Sequence, residues 1–205
     1  MIIIDYNQVA IANLMEQIGS SKDPVDESLV RHMILNTLRA NIRKFKEEYG
    51  KNIVIACDGR KYWRRDIFPY YKASRKKNRE TSGHDWSSIF EALGNVREEL
   101  KEFSPYKVIH LESAEADDII GVLTKSVAPN EKVLILSSDK DFIQLHTNSN
   151  VSQYSPSMKK WIKAPDPRQQ LTELIITGDK DDGVDRKSTR LNSSHSQQSR
   201  MPSSA

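Results

Sequence analysis

Five carboxylates fall into two short groups between Val108 and Leu145, Glu115/Asp117/Asp118 and Asp139/Asp141, each placed where a strand is expected to end. Val133 to Leu136 reads VLIL, an unbroken apolar run of strand length that suits a parallel strand covered on both faces, and it stops at Ser137-Ser138 just before Asp-Lys-Asp. After Ser113, read as an N-cap, AEADDIIGVLTK spaces Ala116, Ile119, Ile120 and Leu123 as one face of a helix. The acids occupy the first turn and a half of that helix. A helix N-terminus favours negative charge by only about 0.3–1 kcal/mol per group, and crowded carboxylates repel one another, so capping alone does not account for them. A hard divalent cation, Mg²⁺ or Mn²⁺, held through carboxylate oxygens would relieve that repulsion. Taken alone, a solvated acidic helix start followed by an Asp-rich turn is the simpler reading of this stretch.

The elements that must position these groups repeat one pattern. Met1–Ile4 is an apolar run ending in Asp5, Ile53–Cys57 is another ending in Asp58, and VIHL at 108–111 is a fourth strand. Asp23-Pro24 reads as a cap with proline at the first helical position, and Val30, Ile34, Leu38, Ile42, Phe45 and Tyr49 then recur every three or four residues until Gly50. Such a strand–helix–strand crossover makes parallel strands of one hand, whose carboxyl ends share one edge of the sheet. Open α/β sheets bind ligands outside that edge. The fold class is therefore α/β, with a mainly parallel central sheet flanked by helices and Asp5, Asp58, Glu115/Asp117/Asp118 and Asp139/Asp141 on one rim. For a single Asp after a strand, a turn or cap role is the simpler reading; the coincidence at four strands favours a site.

Residues 60–79 carry nine Lys/Arg and one acid, Asp66, interleaved with Tyr62, Trp63, Phe68, Tyr70 and Tyr71. Cations that neutralise phosphates and aromatic faces that stack on bases suit single-stranded nucleic acid, whereas a solvated basic surface with its aromatics turned inward is the alternative. Asn78 to Asp85 lacks apolar periodicity and is expected to be mobile. From Asp85, a cap, Ile89, Leu93, Val96, Leu100 and Phe103 mark a further amphipathic helix ended by Ser104-Pro105. Asn150 to Ala164 is expected to form a hairpin around Ser155-Pro156-Ser157 with Trp161 packed on it, and Leu171 to Ile176 a short helix. GDKDDG then brings a third acidic group, Asp179, Asp181 and Asp182, without the Glu that a calcium-binding EF-hand loop needs at its twelfth position.

The totals bound the rest. With 37% apolar and 29% charged side chains over 205 residues, the chain suits one soluble globular domain. The single cysteine, Cys57, excludes an internal disulfide and points to a reducing, cytosolic setting; no signal peptide or membrane span is expected. The net charge of +3 is uneven: residues 186–205 hold four basic side chains and no acid, which leaves 27 basic against 28 acidic in residues 1–185. That tail has seven serines in twenty residues and no periodicity, and is expected to be disordered, either as a genuine basic tail or as translated adapter sequence fused to a truncated frame.

In their order, IIIDYNQVA, VRHMILNTLRANIRK, IACDGRKYWRRD with PYYKASRKK, EADD, LILSSDKDFIQLH and GDKDDG resemble the 5′ nuclease or flap endonuclease family, nearest to its T-even bacteriophage ribonuclease H branch, over roughly residues 1–184. The resemblance implies a PIN-like 5′ nuclease fold with a basic arch over a metal site, and a catalytic domain at residues 1–185. It implies one metal group from Asp5, Asp58, Glu115, Asp117, Asp118 and Asp139 and a second from Asp141, Asp179 and Asp182, some acting through water, for two Mg²⁺ with Mn²⁺ as a substitute. Lys72 and Arg75 would act at the scissile phosphate, with Arg64, Arg65, Lys76 and Lys77 as further nucleic-acid contacts. The implied activity is 5′-to-3′ exonuclease and flap endonuclease, removing RNA primers during phage DNA replication in the cytoplasm of an infected bacterium. Implied partners are DNA with a 5′ flap or an RNA–DNA hybrid, with a single-strand-binding protein and a sliding clamp in the replisome. Gly183 departs from the family's GDxxDN, and the helix–turn–helix-type region that grips the downstream duplex is expected to be missing. A PIN-like endoribonuclease and a structure-specific DNA-binding protein without catalysis remain alternatives.

Overall fold

The computed structural model describes residues 1–19, 25–163, 166–179 and 182. Asp23-Pro24, Ala164, Asp181, Gly183 and the tail at 186–205 lie outside the described residues. Six strands, β1 (Ile2–Asp5), β2 (Ile53–Cys57), β3 (Lys107–His110), β4 (Val133–Leu136), β5 (Val151–Ser155) and β6 (Lys160–Ile162), form one sheet in the order β3-β2-β1-β4-β5-β6. All neighbours are parallel except β5 and β6, the predicted hairpin.

The strands read as continuous apolar runs because both sheet faces are covered. Ile2, Ile4, Ile53, Ile55, Leu134 and Leu136 point to one side, under helices α1 (Tyr6–Ile18), α2 (Glu27–Tyr49) and α5 (Trp86–Phe103). Ile3, Val54, Ala56, Val133 and Ile135 point to the other, under α6 (Ala116–Val127) and the 3₁₀ helix Lys140–Thr147. Trp161 closes the far edge by packing its ring 5.4 Å from both Tyr154 and Phe45. Among the described residues no helix is long and apolar enough to cross a membrane.

Several boundaries differ from those read in the sequence, each for a physical reason. The long helix is capped by Asp26, whose carboxylate accepts from Ser28 N and Leu29 N. Glu115, rather than Ser113, caps α6: its N–H donates to the Asp118 carboxylate at 3.0 Å, and its backbone oxygen accepts from the Asp118 N–H at 3.1 Å. Asn78–Ser82 is helical, within α4 (Ala73–Ser82), which ends at Gly83 in the left-handed region. This helix has no apolar stripe, so periodicity could not reveal it. Helix α1 was not anticipated, Phe103 is exposed rather than in the core, and the last helix, α7 (Pro167–Thr177), starts earlier than Leu171.

One close approach sets the rim. Gly59 follows Asp58 and donates its N–H to Ala114 O at 2.8 Å. A Cβ there would meet Leu111 O at 2.3 Å, Glu112 O at 2.5 Å and Ala114 O at 2.8 Å, so the loop carrying Glu115 can lie against β2 only because this residue is glycine. Gly59→Ala is expected to lower unfolding free energy by about 1–3 kcal/mol as these carbonyls are forced apart. Gly94→Ala, where a Cβ meets nothing within 4 Å, should cause no loss. Urea denaturation of the two variants checks the contrast, and equal stabilities would contradict it.

Candidate metal and nucleic-acid site

The chain reverses direction across the sheet between β1 and β4, and Asp5 and Asp139 leave the carboxyl ends of these neighbours. Asp5 ends β1 and caps α1; its carboxylate accepts from Gln8 N at 3.2 Å and from Ser137 Oγ at 2.9 Å. Asp58, beyond β2, accepts from Ala116 N at 2.8 Å, which ties it to the start of α6. The turn after β4 is held from β5: the amide nitrogen of fully buried Gln153 donates to Ser137 O and Asp139 O. Asp139 in turn accepts from Asp141 N at 2.9 Å.

These acids line two adjoining hollows. Asp5, Asp58, Asp117 and Asp139 open onto a cleft of about 350 Å³ that also takes in Tyr62, Lys72 and Arg75. Asp141, Asp179 and Asp182 can each bring a carboxylate oxygen within 4.8 Å of the other two, the one such trio among the described residues. Burial, then the charges of Asp117 and Asp58, pushes the Asp5 carboxyl well up, and burial also raises Asp58 and Asp182. Asp117 is pushed up to about 7 by burial and by Asp139, Asp58 and Glu115, against the pull of Lys72. Asp141 rises to about 6 through burial and through Asp139, Asp179 and Asp182. All-oxygen donors that resist ionising together fit a hard divalent cation better than a thiophilic metal.

Glu115 and Asp118 are differently engaged. Glu115 is buried and accepts from Lys72 Nζ at 2.7 Å, Arg64 Nη1 at 2.8 Å and Tyr71 Oη at 3.0 Å. Asp118 takes both Arg64 nitrogens, at 2.8 and 3.0 Å, and the Trp63 indole N–H at 3.1 Å. Burial opposes the Asp118 charge, yet the Arg64 fork and the Glu115 N–H outweigh it and hold this carboxyl below its ordinary value. Burial likewise opposes the Lys72 charge, but the bond to Glu115 keeps this ammonium protonated, above its ordinary value.

The basic segment folds over these acids as α3 (Arg64–Ile67), a turn, and α4. Lys72 joins the last two with a left-handed backbone, φ 54°, and its N–H donates to Asp182 O at 3.2 Å. Its Nζ lies 4.0 Å from Asp117 and 3.9 Å from Asp182, so it stands between both hollows. Arg75 Nη2 is 3.9 Å from Asp182. Arg64 is taken up by carboxylates, Arg65 reaches Tyr71 O at 3.4 Å, and Lys76 and Lys77 are exposed on α4. Tyr71 is buried, whereas Tyr70 projects into solvent, so both readings of the aromatics hold for different rings. Sequence reasoning missed the supporting roles of Ser137, Gln153, Tyr71 and Trp63. The Ser-Ser before Asp139 was the one local signal among them.

Two outcomes follow from these charges. Carboxyls raised in the folded state bind protons that the unfolded chain releases above about pH 4, so stability falls as pH rises from there to about 7 and then levels off. Thermal melting of the chelator-treated protein should therefore show a lower Tm at pH 8 than at pH 5, with Mn²⁺ restoring it at pH 8; a metal-independent rise would contradict the charge assignment. Lys72→Met strands a buried carboxylate and should cost about 3–5 kcal/mol, largely recovered in Lys72→Met/Glu115→Gln, as a double-mutant denaturation cycle would show.

Comparison with known proteins places the chain in a family. Residues 20–172 match the model of the 5′-3′ exonuclease N-terminal, resolvase-like domain. The chain is 41% identical over 187 residues to the ribonuclease H of Enterobacteria phage T4, covering 89% of this chain and 61% of that protein. It is 31% identical over 138 residues to the flap endonuclease Xni of Vibrio vulnificus, covering 65% of this chain and 49% of the relative. The chain thus spans between about half and three fifths of these relatives. Among solved structures it resembles the bacteriophage T5 D15 protein co-crystallised with metal ions, with TM-score 0.71, 17% identity, and 90% and 68% of the two chains covered. A complex of the T5 D15 flap endonuclease with DNA and metal ions aligns with TM-score 0.72 at 18% identity, again over 90% and 68%. The fold is the PIN-like fold of the 5′ nucleases. On the match that spans most of its length, the chain belongs to the 5′-3′ exonuclease family, whose N-terminal resolvase-like domain it carries.

Proposed function

We propose that this chain is the catalytic core of a divalent-metal-dependent 5′ nuclease, a 5′-to-3′ exonuclease and flap endonuclease acting on DNA or RNA–DNA 5′ ends. The observation that carries the reading is the pair of acid-lined hollows joined by the buried ammonium of Lys72. The relatives named ribonuclease H and flap endonuclease support the same reading.

Asp141, Asp179 and Asp182 would hold one ion, and Asp5, Asp58, Asp117 and Asp139 another, with Mg²⁺ the natural occupant and Mn²⁺ its substitute. Glu115 and Asp118 reach an ion only through water, or by releasing Lys72 or Arg64. Two such ions would supply the Lewis acidity that activates water and neutralises charge on the phosphodiester. Lys72 and Arg75 donate to the scissile phosphate and hold it in line; Ser137 and Gln8 keep the Asp5 carboxylate turned toward the cleft. Hydrolysis leaves the phosphate on the 5′ side of the product and needs no covalent nucleophile on the protein. Arg65, Lys76 and Lys77 guide the single-stranded end, while Arg64 shapes the arch through its carboxylates. The setting is primer or flap removal in phage DNA replication, in the cytoplasm of the infected host, on 5′-flap or RNA–DNA substrates alongside a single-strand-binding protein and a sliding clamp.

Cleavage of a 5′-flap duplex with and without Mg²⁺ tests this. Mg²⁺-dependent cutting is expected, abolished by Asp139→Asn and lowered about 10–100-fold by Ser137→Ala, which frees a carboxylate that supports the site. Cutting that survives chelation, or survives Asp139→Asn, would overturn the assignment.

A further inference from the structure

A second cavity, of about 370 Å³, lies on the far side of Lys72, between the segment after β2 and helix α5. Its wall carries Arg60, Arg65, Arg75, Arg79 and Arg97 together with Lys72, and the one carboxylate on it is Asp58. Asp58, Tyr62, Lys72, Arg75, Arg79 and Phe90 are shared with the acid-lined cleft, so a group seated here is one wall away from the carboxylates.

Several of these cations are held by neutral surfaces and remain available to an anion. Arg65 lies 5.0 Å over the ring of Tyr62 and Arg79 lies 5.4 Å over Phe90. Arg97 turns its Nε and Nη2 to its neighbour Glu98, at 2.9 and 2.8 Å, and Glu98 is exposed, so solvent screens that pair. Arg64, spent on Glu115 and Asp118 on the other side of the arch, shows the contrast.

The floor of the pocket includes Gly94, in the middle of α5. Glycine is less favourable than alanine inside a helix, and no packing contact requires it, because a Cβ would meet nothing within 4 Å. Its effect is to leave the pocket wall bare. The volume lies at the small end of ligand pockets, about 300–1,000 Å³, and admits a nucleotide end rather than a length of duplex. Converging guanidinium groups suit a phosphate oxygen fork, and a phosphomonoester carries about −1.5 to −2 charges at neutral pH, more than an internal phosphodiester.

We propose that this pocket receives the terminal phosphate of a 5′-phosphorylated strand, with Tyr62 and Phe90 beside its first nucleotide, and so sets how far from the end the carboxylates cut. The inference rests on the nuclease reading for its consequence, though not for its binding test. Fluorescence anisotropy of the whole chain in chelator, with a 3′-labelled single strand ending in either a 5′-phosphate or a 5′-hydroxyl, reads it directly. The phosphorylated strand should bind about tenfold tighter, the order expected of one charge-assisted hydrogen bond. Arg97→Gln and Gly94→Leu, on separate parts of the wall, should each bring that ratio towards one; if one variant fails to fold by circular dichroism, the other decides. Equal affinity of the unmodified chain for the two ends, or a ratio that neither variant moves, would overturn the proposal. A nucleoside 5′-monophosphate that competes as strongly as the strand would overturn it too, by making free nucleotide the occupant. End preference without Mg²⁺-dependent flap cleavage would leave this pocket standing and sink the nuclease reading; cleavage without end preference would do the reverse.

Discussion

Lys72 places its ammonium 2.7 Å from Glu115 and within 4.0 Å of Asp117 and Asp182, while its own backbone is turned into the left-handed region. A buried ammonium is tolerable only with a carboxylate bonded to it, and the crowded acids are tolerable only with a cation among them. Neither group of charges would stay in place without the other. The left-handed turn costs of order 1 kcal/mol for a non-glycine residue, and the Glu115 bond together with the backbone contact to Asp182 offsets it. The arch is thereby fastened at one point to α6 and to the loop that carries the second acid group.

This fastening explains why the acids divide into two kinds. Glu115 and Asp118 serve as anchors for Arg64, Lys72, Tyr71 and Trp63, whereas Asp5, Asp58, Asp117, Asp139, Asp141 and Asp182 face the hollows, where burial before any other cause pushes Asp5, Asp58, Asp117, Asp141 and Asp182 toward neutrality. The same division separates the cations. Arg64 is structural, Lys72 and Arg75 stand between the hollows, Arg60 and Arg97 line the basic cavity, and Arg79 lines both that cavity and the acid-lined cleft. A phosphodiester chain crossing this rim would pass from a positive pocket over Lys72 to a negative one.

The strands and the acids beyond them were legible because a parallel strand buried on both faces must be apolar throughout, which makes the first polar residue after it conspicuous. VLIL and IVIAC match β4 and β2 residue for residue. Helix α4 was not legible, since a helix that packs by laying Arg79 over Phe90 needs no apolar stripe. Nor was α1, because it begins directly on the residue that ends β1, with Asp5 serving as both strand end and cap. The division of labour among the acids was hidden for another reason. Arg64 and Glu115 are 51 positions apart, and local spacing carries no information on such a pairing. Glu115 and Asp118 look like the other acids in sequence and differ only in what folds against them.

The most direct measurement is the anomalous scattering of crystals grown with Mn²⁺. One ion is expected among Asp141, Asp179 and Asp182 and another among Asp5, Asp58, Asp117 and Asp139, with Glu115 still bonded to Lys72 and Asp118 to Arg64. An ion coordinated directly by Glu115 or Asp118, with Lys72 or Arg64 displaced, would contradict this placement, as would the absence of any ion from both hollows.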